Sequence, residues 1–435
     1  MKYITLLTLC LIVTSLTWAQ DTLSLQRAIE IGMDHNYNIK IAENDLDIAE
    51  NNYTLGNAGF LPTVDVLASR DFEVQDSELD FASGEGQSVN GARSSSFGAS
   101  AILNWTIFDG TRMFITYDRL AEIKQASAVD AQITIENTLA DISTAYYTVI
   151  LEQERVSVLQ NSVDLSAERL RLARTQYEVG KASKLEFLAA QVDYNADTSA
   201  LIRQREQLFN AKINLNTLMA RDPEIDFEVP DQIDANLELQ IGELKDKALS
   251  SNPSLLLARR NQNISNLLVR EIQAERLPQV SVNLGYNYNS SEAEAGFVLG
   301  RQSNGVAYGV SARMNLFDGL NRTRRIQNAR VNLETSAYVI EQTRLQLQAQ
   351  LEQTFVSYTN SIQLLELETE NFAIAKENAD IALERYRLGK SNALELREAQ
   401  INAVEAESRL IDAIYTTKIA EIELLRLSGQ IMQPA

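Results

Sequence analysis

Asn104-Trp105-Thr106-Ile107-Phe108-Asp109-Gly110 is answered later in the chain by Arg313-Met314-Asn315-Leu316-Phe317-Asp318-Gly319. From Gly110 to Gly319 is 209 positions, and other pairs keep that offset. Tyr177-Glu178-Val179-Gly180-Lys181 matches Tyr386-Arg387-Leu388-Gly389-Lys390. Leu185-Glu186 and Ala190-Gln191 match Leu394-Glu395 and Ala399-Gln400. Upstream, Leu61-Pro62 matches Leu277-Pro278 at an offset of 216, so a loop changes length between the Pro and the Phe-Asp-Gly motif. A repeat of roughly 150 residues or more lies far beyond solenoid periods. The chain reads as a duplicated half-protein, with one copy in 20–221, a linker in 222–240 carrying Pro223 and Pro230, and a second copy in 241–435.

Each copy predicts the same parts. A helical segment comes first, Leu25 to Asn57 and Ile241 to Glu275. Pro62 and Pro278 then open β-hairpins, placed at 61–108 and 277–317. Val280, Val282, Leu284, Tyr286 and Tyr288 share one face, and Gln279, Ser281, Asn283, Gly285 and Asn287 share the other. Val306, Tyr308, Val310, Ala312, Met314 and Leu316 alternate in the same way, as do Phe97, Ala99, Ala101, Leu103 and Trp105. Period two over about ten residues fits a transmembrane strand, and it equally fits a half-buried sheet in a water-soluble protein. Asp71 to Ser95 and Asn289 to Asn304 are rich in Ser, Gly, Asp and Glu, and they read as exposed loops.

After each Phe-Asp-Gly comes a long helical pattern. Leu139, Ile142, Tyr146, Val149, Gln153, Val156, Gln160 and Val163 step by threes and fours, and so do Leu351, Phe355, Tyr358, Ile362, Leu365, Thr369 and Phe372. A seam this narrow belongs to coiled-coil packing. Thr111 to Tyr177 contains neither Pro nor Gly. A helix of that length reaches roughly 100 Å at 1.5 Å per residue. Gly180 and Gly389 stop the helices, because glycine accepts the left-handed terminus. A return helix follows in each copy, giving helical hairpins at 111–219 and 320–428, with Ile401, Val404, Ile411, Tyr415, Ile422 and Leu425 on the second return seam.

Composition excludes much chemistry. The 435 residues hold one Cys, Cys10, and one His, His35, so there is no thiol or His-based triad and no Cys/His metal site. The formal net charge is −20, which disfavours nucleic acid as a partner. No cofactor is called for. Glu186 and Glu395 could be imagined as an acid–base pair, but they fall on exposed helices, and no enzyme is expected. Met1-Lys2, an apolar run from Tyr3 to Leu16 and Thr17-Trp18-Ala19 form a signal peptide over 1–19, with cleavage before Gln20. Trp105 is then the only Trp of the mature chain. No later run of 18 apolar residues reads as a membrane helix.

The duplicated order of helix, Pro-opened hairpin, Phe-Asp-Gly, long helix, Tyr-x-x-Gly-Lys and return helix resembles the TolC family of outer-membrane efflux proteins. The likeness covers nearly the whole mature chain. The fold class it implies is mainly α with a β-barrel part. Long antiparallel hairpins form a periplasmic α-barrel, and four transmembrane strands per chain close as a 12-stranded barrel in a homotrimer. The strands themselves require company, since an open four-stranded sheet cannot sit in lipid with bare edges. Two copies would give eight strands, a barrel filled by side chains; three give twelve and room for a channel.

The resemblance further implies an exit duct in the outer membrane, working with a periplasmic adaptor and an inner-membrane pump. It places the adaptor-binding tips at Val179, Gly180, Lys181, Leu388, Gly389 and Lys390. It places a periplasmic gate at Glu395 and Glu398, six and nine positions after Gly389, with Tyr386 three before it. The family's usual Asp is replaced by Glu, and Ser391 stands where a basic latch residue is common. At the strand–helix junctions, Phe108 and Phe317 are expected at the lipid boundary. Asp109 and Asp318 are expected to cap helices beside Gly110 and Gly319. A secreted or periplasmic coiled-coil scaffold is the competing reading, and it leaves the alternating strands unexplained.

Overall fold

The computed structural model describes residues 22–82, 84, 86–230 and 232–432. The expected signal peptide, with Cys10 and Trp18, lies outside the described residues. In chain order the elements are α1 (Leu25–His35), α2 (Tyr37–Asn52), β1 (Thr63–Asp80), β2 (Gly86–Phe108), α3 (Arg112–Glu178), α4 (Lys184–Leu218), α5 (Ile241–Ser251), α6 (Pro253–Ala274), β3 (Gln279–Ala293), β4 (Gly300–Arg313), α7 (Asn321–Arg387) and α8 (Ala393–Leu427). The second six repeat the first six. The long helices α3 and α7 have 67 residues each, and the return helices α4 and α8 have 35 each.

The residues 41–133 and 253–346 form one compact unit. Its centre is an antiparallel sheet in the order β1-β2-β3-β4. The register places Val66, Ala101 and Tyr286 in one cross-strand row with Val306, all on one face. On that same face Ala99 meets Tyr288, two positions to one side of this row, and Trp105 meets Val282, four positions to the other. Val64, Val66, Phe72, Tyr286, Val306, Tyr308 and Val310 are all exposed in the single chain. The other face carries Asn104, Thr106, Ser281, Asn283 and Ser311, and Thr106 and Ser281 are within hydrogen-bond distance at 3.4 Å.

The expected loop at 71–95 is corrected. Strand pairing runs on from Asp71↔Ser96 to Asp80↔Gly86, and on the other hairpin from Asn289↔Ser303 to Glu292↔Gly300. Polar strand residues clear of an apolar layer lose the alternation that marks a strand, so their composition looks like that of a loop. The initial helices are also broken, at Asn36 and at Asn252, where the chain turns extended between α1 and α2 and between α5 and α6. No helix among the described residues is long and apolar enough to cross a membrane.

Among the described residues, the second unit comprises 22–40, 134–230, 232–252 and 347–432. It holds two related cores. Ala28, Ile142, Val149, Leu215 and Met219 make one. Leu244, Ala248, Leu351, Tyr358, Leu424 and Leu427 make the other. Ile142 and Leu215 stand 209 positions before Leu351 and Leu424, so duplicated residues fill duplicated cores. The two asparagine breaks do matching work. Asn36 Nδ2 donates to the Leu218 carbonyl at 2.7 Å, and Asn252 Nδ2 to the Leu427 carbonyl at 3.0 Å. Each satisfies a carbonyl that the end of a return helix leaves without an intrahelical donor. The expected α8 seam holds only in part. Ile422 is buried in the first core and Tyr415 packs against it, but Ile401 is exposed, while Ala399, Ala406, Ala413 and Ala420 are buried at seven-residue spacing. Alanine lets helices approach closely, so these small residues join the large ones on the contact line.

Candidate channel entrance at the hairpin tips

Each long helix ends in the same hydrogen-bonded motif. Gly180 has φ of 76° and Gly389 of 68°. Lys181 N donates to the Gln176 carbonyl at 2.8 Å and Gly180 N to the Tyr177 carbonyl at 3.0 Å. Lys390 N donates to the Arg385 carbonyl at 2.9 Å and Gly389 N to the Tyr386 carbonyl at 3.0 Å. This crossed pair closes a helix on a left-handed residue. Val179 and Leu388, just before the glycines, are exposed.

The return helices start on matching caps. Ser183 Oγ accepts from Glu186 N at 3.2 Å, and Asn392 Oδ1 accepts from Glu395 N at 2.8 Å. Glu186 and Glu395 thus occupy the third helical position, where a carboxylate also meets the positive end of the helix dipole.

The side chains around these caps differ. Tyr386 is buried with Ala382, Leu396 and Ala399. Burial pushes its hydroxyl pKa up, and the nearby Glu186 charge adds to the rise. Its counterpart Tyr177 is exposed and stacks on Phe187 with ring centroids 5.9 Å apart. Glu395 pairs with Arg385 of its own hairpin at 2.9 Å. Glu398 is exposed, three residues further along α8.

Between the two hairpins lies a groove of about 810 Å³, lined by residues that include Arg169, Glu186, Asp193, Tyr386 and Arg397. Arg397 on α8 reaches α4 and grips Asp197 with two bonds of 2.8 and 2.9 Å. The Asp197 hydrogen bond holds the Arg397 guanidinium above its usual pKa. Arg169 has a side chain 2% exposed and pairs with Asp193. Sequence reasoning missed Arg169, Asp193, Asp197, Arg385 and Arg397. Positions 209 away from Arg169, Arg397 and Asp197 hold Asn378, Leu188 and Ala406, so a search for matched residues passes over them. Their signal is the converse, charge at positions where the two copies disagree.

At the strand–helix junctions, Asp109 accepts from Met113 N at 3.1 Å and Asp318 from Arg322 N at 2.8 Å. Both therefore cap long helices. Gly110 has φ of 76°, and a Cβ there would meet the Ala274 carbonyl oxygen at 2.5 Å, so this glycine is required on two counts. Gly319 has φ of 68°, and a Cβ there would meet only Asn321 Nδ2, at 3.8 Å. Phe108 and Phe317 are both exposed.

No cluster of metal-ligating side chains occurs among the described residues. A sequence model of the family described as "Outer membrane efflux protein" matches residues 29–221 and 244–430. The chain is similar to Protein CyaE of Bordetella pertussis, with 21% identity over 94% of this chain and 85% of that one. It is also similar to the cobalt-zinc-cadmium resistance protein CzcC of Cupriavidus metallidurans, with 22% identity over 95% and 91% of the two chains. Its fold matches the crystal structure of the CmeC outer membrane channel of Campylobacter jejuni, with TM-score 0.78 and 16% identity over 96% of this chain and 90% of that chain.

Proposed function

The chain belongs to the outer membrane efflux protein family, and we propose that three copies close its four-stranded sheet into a 12-stranded barrel whose helical hairpins form the periplasmic entrance. The protein is an outer-membrane exit channel of an efflux or type I secretion system, with its helical part in the periplasm. The sheet carries the proposal. β1 and β4 have one strand neighbour each among the described residues, and one face exposes Val64, Val66, Phe72, Tyr286, Val306, Tyr308 and Val310. Lipid accepts the face, and only closure satisfies the edges.

The helices support the same assembly. Val331, Tyr338 and Leu345 stay exposed on α7 at heptad spacing, and so do Leu367, Ile374 and Ile381, with Leu388 next in step just past the helix end. On α4, Leu185, Val192, Ile202 and Phe209 are exposed too. A heptad stripe without a partner in its own chain is a seam for another copy. Phe108 and Phe317 sit at the lipid boundary in this reading, and the outer-membrane lipid covers the apolar sheet face. The tips, Val179 to Lys181 and Leu388 to Lys390, meet a periplasmic adaptor that links the duct to an inner-membrane pump. Their exposed Val179 and Leu388 supply apolar contact flanked by lysines. Replacing both with Asp should abolish crosslinking to the adaptor while leaving the trimer intact; undiminished crosslinking would move the docking surface elsewhere.

The gate follows from the charges. A threefold axis gathers three copies of Glu395 and Glu398 beside Tyr386. Each Glu395 is offset by Arg385, so Glu398 carries the uncompensated charge. An acidic ring attracts cations. Single-channel recording should therefore show cation preference and block by multivalent cations from the periplasmic side. Glu398→Ala should remove most of the block. Glu395→Ala should remove less than Glu398→Ala, because it frees Arg385 at the same level. Block unchanged in Glu398→Ala would place the gate away from this ring.

A further inference from the structure

The lower edge of the sheet carries a feature that neither the barrel nor the tips use. Where α3 and α7 begin, a groove of about 240 Å³ is lined by four arginines, Arg112, Arg313, Arg322 and Arg325, against Asp109, Glu275 and Asp318. In a chain of net charge −20 this is a local excess of positive charge. The pairing is uneven. Arg112 pairs with Asp109 at 3.4 Å, and Arg325 pairs with Glu275. Asp318 is engaged by the Arg322 backbone N–H rather than by a guanidinium. Arg322 gives one Nη to the Asn315 carbonyl at 3.2 Å, and its Nε is buried with no partner. Arg313 makes no ion pair among the described residues.

Register says which way the groove opens. Arg313 is opposite Gln279, in step with the Ser281↔Ser311 and Asn283↔Gly309 pairs of the polar face. Gln279 Nε2 donates to Thr106 Oγ1 at 3.2 Å on that face. Once the sheet closes, the polar face lines the conduit, and three such grooves ring it where α3 and α7 begin.

We propose that these grooves form an oxyanion-binding belt, with Arg313 and Arg322 as the residues that hold phosphate or carboxylate groups in transit. The belt rests on the barrel reading above. Guanidinium is suited to the role, since its planar fork matches a phosphate or carboxylate edge and stays charged. The buried Arg322 Nε has no acceptor among the described residues, and an oxyanion supplies one. The same chemistry could come from a soluble anion or from a phospholipid headgroup.

The probe is inorganic pyrophosphate, titrated calorimetrically at low ionic strength into the full detergent-solubilised protein. Saturable binding is expected, weakened about tenfold, or ~1.4 kcal/mol, by Arg313→Gln and separately by Arg322→Gln. Arg301→Gln, on β4 but far from the groove in sequence, should leave it unchanged. Absent binding, or equal weakening by Arg301→Gln, overturns the belt. Loss of the trimer in Arg313→Gln and Arg322→Gln also overturns it, since the arginines would then be holding subunits together. Native mass spectrometry separates the sources: phospholipid retained by the wild type and displaced by pyrophosphate identifies a headgroup, and its absence assigns the site to soluble anions. Conductance in a planar bilayer reports on the channel independently. A conducting trimer that ignores pyrophosphate refutes the belt alone, and a protein that binds pyrophosphate through these arginines yet never conducts refutes the channel reading.

Discussion

The two halves share a backbone and differ in chemistry. At the first tip Tyr177 is exposed, and it stacks on Phe187. At the second, Tyr386 is buried, and Arg385 holds Glu395. The glycines, the crossed hydrogen bonds and the caps are the same in both. Backbone motifs set where a hairpin turns, and they tolerate almost any surface beyond that. Duplication therefore keeps the geometry and releases the side chains to specialise.

The strongest test of this shared geometry is at the asparagine breaks. Asn36 satisfies the Leu218 carbonyl and also caps α2, accepting from Asn38 N at 2.8 Å. Asn36→Ala should cost about 2–4 kcal/mol, combining a lost cap with an orphaned buried carbonyl. Asn252→Ala should lose about 1–3 kcal/mol through the Leu427 carbonyl. Thermal unfolding followed by circular dichroism would measure both. Wild-type stability in either variant would show that the matched asparagines are not structural equivalents.

How much of this was legible depends on what each residue must do. The duplication, the hairpin ends at Gly180 and Gly389, and the return-helix limits at Leu218 and Leu427 stood in the sequence, because glycine position and helical period are local signals. The breaks at Asn36 and Asn252 did not. An asparagine within a helical run looks like any solvated residue until the carbonyl it serves, 182 or 175 positions away, is known. The α8 seam was legible at Ile422 and misplaced at Ile401, because it also runs through Ala399, Ala406, Ala413 and Ala420, whose signal in a hydrophobic pattern is weak. At the tips, the glutamates were legible by position, but the partner of Glu395 was not. Arg385 precedes the turn by four residues and carries no motif.

Strain at the tips gives the next effect. A Cβ on Gly180 or Gly389 would meet nothing within 4 Å, so the cost of a side chain there is the left-handed backbone alone. That is about 1–2 kcal/mol. Gly180→Val and Gly389→Val should leave trimer yield unchanged and each reduce transport, measured as export in cells. Loss in only one variant would show that a single tip couples to the adaptor.

A smaller contrast lies at the return-helix ends. Gly429 has φ of 70°, and its counterpart in the first half is Ala220 at 51°. Ala220→Gly should relieve a strained residue and stabilise the protein by about 0.5–1 kcal/mol. Gly429→Ala should destabilise by more than that gain, since its Cβ would come within 3.1 Å of the Ser251 carbonyl oxygen. A destabilised Ala220→Gly would mean that the alanine methyl packs usefully there.

The smallest expected effect is electrostatic. Burial pushes the pKa of Glu407 up. A raised carboxyl pKa favours the folded protein below the ordinary carboxylate range, and that advantage is lost as pH rises through the folded value. At neutral pH the charged, half-buried Glu407 is a liability that Thr198, its counterpart, does not have. Glu407→Gln should raise the melting temperature slightly at pH 7 and change nothing at pH 3. A gain of equal size at both pH values would assign the effect to packing.

If this sheet is one third of a barrel, native mass spectrometry of the protein in mild detergent should find a complex of three chains. A stable monomer or dimer that still inserts into lipid and conducts would contradict closure by twelve strands.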